Sequence, residues 1–151
     1  MTSNELKVNI LAPGKTVATV RAKHVQLPGS LGYMGILPGH ASLVAELGIG
    51  EVKVEGDQLN TPDKVMYFFI AGGYVEVYED EVTILADVVE KPEEMDIERA
   101  KKAQERAHKR LSKENDTENL DIERARLALL RALARENFVN SHIKHSSTKK
   151  H

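Results

Sequence analysis

A fifteen-residue sequence repeat constrains the second half of this chain more than any other feature. Residues 96–110 read DIERAKKAQERAHKR and residues 121–135 read DIERARLALLRALAR, so the copies agree at nine of fifteen positions. Both copies are rich in residues that favour helices, with alanine and arginine recurring at helical spacing. Because only residues 111–120 separate the copies, we predict that they fold back as an antiparallel helical hairpin.

The arginines of this hairpin admit two interpretations. Two helices with small-residue faces can lie close together with several guanidinium groups along the seam, an arrangement that suits a phosphate-rich ligand. Alternatively, the arginines are solvated or pair with Glu98, Glu105 and Glu123 along the hairpin. The spacing alone does not favour either interpretation.

Composition indicates two modules with different neighbours. The chain has 151 residues, no cysteine and a net charge of −2. The lack of cysteine excludes disulfides, thiolate zinc sites and cysteine nucleophiles. The apolar stretches are too short to span a membrane and the N-terminus lacks the features of a signal peptide, so we expect no export. Residues 1–89 carry six basic and eleven acidic residues, whereas residues 90–151 carry fifteen and twelve.

The first module is predicted to be built of strands. Period-two alternation or short β-rich runs predict strands at residues 6–11, 16–21, 51–55, 65–70, 74–78 and 81–86. Turns are predicted at Pro13-Gly14, Pro28-Gly29, Gly56-Asp57, Gly72-Gly73 and Glu79-Asp80.

The resulting fold class is β + α. We expect an antiparallel β-sandwich or flattened barrel over residues 1–89. An antiparallel two-helix hairpin follows over residues 90–140, its second helix ending near Asn137, with a disordered basic tail over residues 141–151.

Motifs that would indicate an enzyme are incomplete. Gly14-Lys15-Thr16 resembles the end of a phosphate-binding P-loop, but Asn9 stands where that loop needs a glycine, and a strand follows instead of a helix. The six histidines have no convincing metal spacing, and no Ser/His/Asp set can be assembled. We therefore predict neither a catalytic site nor a metal site.

The densest cluster of turn-forming residues lies at residues 32–41, which read GYMGILPGHA. Together with residues 72–77 and 82–87, this segment resembles the signature of the epsilon subunits of F-type ATP synthases. The likeness extends over residues 7–135. It implies a β-sandwich followed by a helical hairpin, in a non-catalytic rotor subunit that couples proton flow to ATP synthesis.

The resemblance also implies partners and a location. The sandwich attaches to the gamma subunit and sits on the c-ring, at the cytoplasmic face of the bacterial plasma membrane, so that contact with the membrane comes only through the complex. The hairpin extends toward the alpha/beta catalytic hexamer and inhibits ATP hydrolysis, or folds down and, in some members, binds ATP. ATP is then a regulatory ligand, and no cofactor is required.

Seven residues of this chain match the family's nucleotide-binding pattern. They are Glu90, Asp96, Arg99, Ala100, Arg106, Arg131 and Arg135. Met95 stands where isoleucine or leucine is usual. Three or four guanidinium groups would neutralise a triphosphate without a metal.

The predicted partner-binding residues depart from the family at one point. Many members carry acidic residues near the first glycines of the motif, whereas this chain has Leu31, Tyr33 and Met34. An apolar contact to the c-ring is therefore expected. His40 is a further predicted partner-binding residue. Tyr33 and Met34 are either exposed anchors or tucked into the sandwich.

The second helix carries leucines at positions 127, 129, 130 and 133, which cover more than one helix face. Either the helix has two alternative burial partners, or it packs between the first helix and the sandwich at once.

Two other functions are compatible with parts of this sequence. A free-standing ATP-sensing or nucleic-acid-binding module would use the same arginines, but the helices carry nearly as many acidic as basic residues and no aromatic residue before Phe138. We therefore expect no nucleic-acid partner. A β-sandwich enzyme lacks a catalytic constellation.

Overall fold

The computed structural model describes residues 4–94, 97–112 and 119–147; within the helices, side chains are described for residues 102–109 and 123–142. The chain divides into two compact units, Met1–Lys91 and Pro92–His151. The first is built of strands and the second of helices.

The described part of the first unit forms eight strands. They are Leu6–Ala12 (β1), Lys15–Ala22 (β2), His24–Gly29 (β3), Gly32–Ile36 (β4), Leu43–Glu46 (β5), Ile49–Glu55 (β6), Val65–Tyr78 (β7) and Glu81–Glu90 (β8). The hydrogen-bonded order is β2-β1-β8-β7-β6-β3-β4, with β5 beside β7. Neighbours run antiparallel, apart from the parallel pair of β1 and β8.

Strand β7 serves both layers of the sandwich. Its first half pairs with β6 over residues 65–71, and its second half pairs with β5 over residues 74–77. The predicted turn at Gly72-Gly73 is wrong, because β8 continues to pair on both sides of the two glycines. Their φ angles of 76° and 116° bend the strand without ending it.

Three strands were not predicted from the sequence. Strands β3, β4 and β5 are short, and two of them contain the glycines and the proline that indicated a loop. The predicted turn at Pro28-Gly29 lies inside β3, and the chain turns at Ser30 and Leu31 instead. Proline is tolerated there because the β3–β6 ladder ends at Gln26, before an amide of Pro28 would be needed.

The core lies between the two layers and confirms the predicted alternation. Fully buried side chains alternate along several strands: Leu6, Val8 and Ile10, Val25 and Leu27, and Val52 and Val54. In the first half of β7, Phe68, Phe69 and Ile70 are buried in succession. The expected β-sandwich followed by two helices is confirmed.

The second unit is a helical hairpin. A short 3₁₀ turn at Pro92–Glu94 precedes helix α1 (Ile97–Ser112), and helix α2 spans Asn119–Ser147. Helix α2 packs against α1 and also contacts the 3₁₀ turn that precedes α1. The two helices therefore run antiparallel.

The prediction of a disordered tail from residue 141 is wrong for residues 141–147, which continue α2. No glycine or proline interrupts α2. Phe138 and Val139, beyond the predicted end at Asn137, are buried. The Phe138 ring also meets His142 edge-on, with centroids 4.5 Å apart. Apolar anchoring therefore holds the helix past the point at which its polar composition indicated an end.

Candidate functional site

The two copies of the sequence repeat bury and expose equivalent positions. Ala107 and Ala132 occupy the same place in the two copies, and both are buried. Arg106 and Arg131 directly precede these alanines, and both are exposed. Each helix thus pairs a buried small residue with a guanidinium group that is accessible to a ligand.

Four of the seven predicted nucleotide-binding side chains are described. Arg106 donates from Nε to the carbonyl oxygen of Lys102 at 3.3 Å. Arg135 is half-buried and lies four residues after Arg131, on the same side of α2. Glu90 is half-buried at the end of β8.

The other three lie outside this description. Asp96 is not among the described residues, and Arg99 and Ala100 are described only as backbone of α1. The nucleotide site as a whole stays a prediction.

The alternative, in which these arginines are solvated or pair with glutamates along the hairpin, stays open, since Arg106 and Arg131 are exposed. Glu123 contacts Arg126 at 4.0 Å, and both side chains are exposed. Such a pair contributes little to stability. Arg126 is not one of the arginines in the nucleotide-binding pattern.

Helix α2 exposes an apolar row. Leu127, Leu130 and Leu133 are 45%, 55% and 37% exposed, whereas Leu129 is half-buried. Both interpretations of these leucines stay open.

The glycine-proline segment at residues 32–41 separates its predicted contact residues by exposure. Leu31 lies fully exposed at the tip of the β3–β4 hairpin. Tyr33 is 57% exposed, but its hydroxyl accepts a hydrogen bond from the backbone N–H of Glu51 at 3.1 Å. Met34 is half-buried and packs against the core. Of the two alternatives, exposure holds for the Tyr33 ring and burial for Met34.

His40 follows a tight turn. The backbone N–H of His40 donates to the carbonyl oxygen of Leu37 at 3.1 Å, and Gly39 has a φ of 85°. Pro38 and Gly39 thus occupy the two central positions of a type II turn. His40 is exposed, with its Nδ1 2.7 Å from the carbonyl oxygen of Ala41.

Gly35 supports an ion-pair cluster on the outer face of β3 and β6. A Cβ atom at Gly35 would lie 3.0 Å from Nε2 of His24, so the imidazole covers this glycine. Nδ1 of His24 lies 3.3 Å from Oε2 of Glu55, whose other oxygen pairs with Lys53. The hydrogen bond from Lys53, and then that from His24, lowers the pKa of the Glu55 carboxyl.

An apolar patch on the outside of the sandwich was missed by sequence reasoning. Tyr74 and Leu85 are cross-strand neighbours, and Leu85 also lies beside Leu11 of β1. Val44 lies opposite Glu76, and Tyr74, two residues before Glu76 on β7, is its diagonal neighbour. Val44, Tyr74 and Leu85 are 73%, 58% and 51% exposed. We call Leu11, Val44, Tyr74 and Leu85 the outer apolar patch.

The outer apolar patch continues into a shallow groove. The β1–β2 turn lines one side of the groove, and the middle of β8, from Leu85 to Asp87, lines the other. The sequence signal for the patch is weak: Tyr74 and Leu85 are apolar, but each directly adjoins a residue that points into the core, Val75 and Ile84 respectively. Gly14 lies in this β1–β2 turn and is followed by strand β2, not by the helix that a P-loop needs.

Among the described side chains, no three metal-ligating residues gather in one place. Neither helix, over its described residues, has an apolar stretch long enough to cross a membrane.

Known protein families match both units. The beta-sandwich domain of the ATP synthase delta/epsilon chain matches residues 5–92, and the long alpha-helix domain of the same chain matches residues 93–137. The ATP synthase epsilon chain of Desulfitobacterium hafniense (strain Y51) is 42% identical over 130 residues, covering 86% of this chain and 92% of that relative. The epsilon chain of Halalkalibacterium halodurans is also 42% identical over 130 residues, covering 86% and 93%.

Solved structures share the fold at lower identity. A chain of the Euglena gracilis mitochondrial ATP synthase, in a structure of its OSCP, F1 and c-ring, aligns with a TM-score of 0.78 and 22% identity over 92% of this chain and 84% of that one. A chain in the central stalk and c-ring of the Tetrahymena thermophila mitochondrial ATP synthase aligns with a TM-score of 0.61 and 12% identity, covering 89% and 96%. With both units matched and bacterial relatives 42% identical, this chain belongs to the ATP synthase delta/epsilon family, as an epsilon subunit.

Proposed function

We propose that this epsilon subunit is a non-catalytic part of the rotor, peripheral at the cytoplasmic face of the bacterial plasma membrane. Its sandwich binds the gamma subunit and stands on the c-ring, so that it helps to couple proton flow to ATP synthesis. Its hairpin binds ATP as a regulatory ligand and inhibits ATP hydrolysis when it extends toward the alpha/beta hexamer. The observation that carries the proposal is the outer apolar patch, on a sandwich that already has a closed core of its own.

The outer apolar patch supports a protein partner for the sandwich. Contiguous exposed apolar side chains on a small domain mark interaction sites, because leaving them in water costs free energy. Tyr74 combines a large apolar ring with a hydroxyl, a combination enriched at interface hot spots. Val44 lies four residues after His40, so the type II turn at residues 37–40 leads directly to the patch. We assign this surface to the gamma subunit.

The tip of the β3–β4 hairpin supports a second contact. Leu31 projects fully into solvent, and the Tyr33 ring beside it is more than half exposed. The Tyr33 hydroxyl is already bonded to β6, which fixes the ring in place. We assign Leu31 and Tyr33 to an apolar contact with the c-ring, with Met34 supporting them from the core.

The hairpin's arginines support the ATP-binding part of the proposal. Arg106 and Arg131 are exposed at equivalent positions of the two copies, and Arg135 lies one turn after Arg131. Guanidinium groups bind phosphate oxygens through paired, charge-assisted hydrogen bonds. The exposed leucines of α2 support a second arrangement of the helix, in which another surface covers them.

The gamma contact is tested by placing a charge in the outer apolar patch. Leu85→Glu should lower the affinity for purified gamma subunit at least tenfold, because the carboxylate would have to be desolvated in an apolar interface. Thr19→Glu, an exposed position on β2, is the matched control and should bind like the wild type. Unchanged affinity of a folded Leu85→Glu variant would exclude the patch as the gamma surface.

Co-purification separates this proposal from the free-standing sensor. A rotor subunit should bring down gamma and the catalytic hexamer from its own cells. A free-standing module should purify alone, and hydrolysis of ATP by the purified chain would contradict a non-catalytic role.

A further inference from the structure

Asp80 connects three segments that are far apart in the sequence. Its Oδ1 accepts a hydrogen bond from the backbone N–H of Gly39 at 2.7 Å. Its carbonyl oxygen accepts from the N–H of Lys7, at the start of β1, at 2.8 Å. Asp80 itself lies in the two-residue turn between β7 and β8. One residue thus holds the turn at residues 37–40 against the end of the sandwich.

The backbone of Asp80 is in a conformation that few residues favour. Glu79 and Asp80 have φ angles of 47° and 61°, as a type I′ hairpin turn requires. Glycine and asparagine are the preferred residues there, because a side chain in the left-handed region costs free energy. An aspartate at residue 80 is therefore locally less stable than glycine or asparagine would be. In this structure its carboxylate accepts the hydrogen bond from Gly39.

The hydrogen bond to Gly39 matters because the turn at residues 37–40 carries exposed side chains. Gly39 is the central glycine of that turn, and it lies between Leu37, which is 58% exposed, and His40, which is exposed. No hydrogen bond of β4 or β5 covers this segment, since it lies between the two strands. Its remaining described backbone bond, from His40 to Leu37, is internal to the turn.

We propose that Asp80 is a positioning residue for the gamma-binding surface, holding the turn at residues 37–40 in the orientation in which Leu37 and His40 meet the partner. This inference rests on the proposed gamma contact. A pre-ordered turn raises affinity because it does not have to be ordered when the partner binds.

Two substitutions that both tolerate the left-handed backbone test this role. Asp80→Asn keeps an oxygen acceptor and should bind gamma within about twofold of the wild type. Asp80→Gly removes the acceptor while relieving the backbone, so we expect about tenfold weaker binding to gamma, or roughly 1.4 kcal/mol, with an unchanged or higher melting temperature. Amide hydrogen exchange at Gly39 should quicken in Asp80→Gly alone.

His40→Ala distinguishes failure of the inference from failure of the proposed function. If His40→Ala weakens gamma binding while Asp80→Gly binds like the wild type, the turn contacts gamma without needing Asp80, and the inference is overturned. If both variants bind like the wild type, the turn is not part of the interface, and the proposed contact through it fails as well.

Discussion

Glu55 lies on the outer face of β6, between Lys53 on its own strand and His24 on β3. At the scale of single residues, it makes the stability of the sandwich sensitive to acid. Hydrogen bonds, first from Lys53 and then from His24, lower the pKa of its carboxyl in the folded chain. The unfolded chain therefore binds the proton more readily. The contribution of Glu55 is complete above its unfolded pKa of about 4.3 and is lost as the pH falls through the lower, folded value.

We expect the unfolding free energy to fall less steeply on acidification in Glu55→Gln than in the wild type. The measurement is urea unfolding at several pH values from 6 down to 3. Glu76→Gln is the control, because Glu76 is an exposed carboxylate on β7 without an ion pair among the described residues. Parallel curves for the wild type and Glu55→Gln would show that the cluster around Glu55 does not contribute.

In the glycine-proline segment at residues 32–41, the residue types predicted apolar contact residues but did not predict which of them are exposed. Tyr33 and Met34 are neighbours of similar size, yet one lies outside the sheet and the other packs against the core. Their period-two alternation along β4 separates them, but β4 itself was not predicted as a strand. Asp80 was predicted only as part of a turn, since its bond to Gly39 joins residues that are 41 positions apart.

At the scale of elements, the bend in β7 joins the two layers. A Cβ atom at Gly73 would lie 2.0 Å from the carbonyl oxygen of Leu85 on β8, whereas one at Gly72 would meet only the side chain of Asp87. Gly73→Ala should therefore cost about 3 kcal/mol or more, because the backbone of β8 would have to move. Gly72→Ala should cost about 1–2 kcal/mol, since the Asp87 side chain can turn away.

Urea unfolding of the two variants measures this difference. Equal losses would mean that β8 yields as easily as a flexible side chain, contrary to the tight packing at the bend.

Elements with a strong periodic pattern were predictable. The core-forming strands β1, β6 and β8 and both helices were predicted within a few residues of their starts. Strands β3, β4 and β5 were not, because glycine and proline at positions 28–39 indicate turns locally, whereas pairing with distant strands keeps these segments extended. The end of α2 was misplaced because the burial of Phe138 and Val139 depends on tertiary packing.

At the scale of the whole molecule, the chain combines a sandwich with a closed core and a hairpin that keeps apolar and cationic side chains exposed. Helices of 16 and 29 residues draw much of their stability in proteins from packing rather than from helix propensity. A ligand that binds one arrangement of the hairpin more tightly than another shifts the population toward it. Under the proposed function, we therefore expect falling ATP to release the hairpin toward the extended, inhibitory form.

Isothermal titration of the purified chain with ATP tests the regulatory claim most directly. Wild-type chain should bind ATP, and Arg131→Ala should bind about 10- to 100-fold more weakly, because one charge-assisted contact contributes about 1.5–3 kcal/mol. Arg124→Ala is the matched control: Arg124 is an exposed arginine of the same helix, outside the nucleotide-binding pattern, and its loss should change the affinity little. Equal ATP affinity in all three proteins, or no binding by the wild type, would contradict nucleotide sensing by the hairpin.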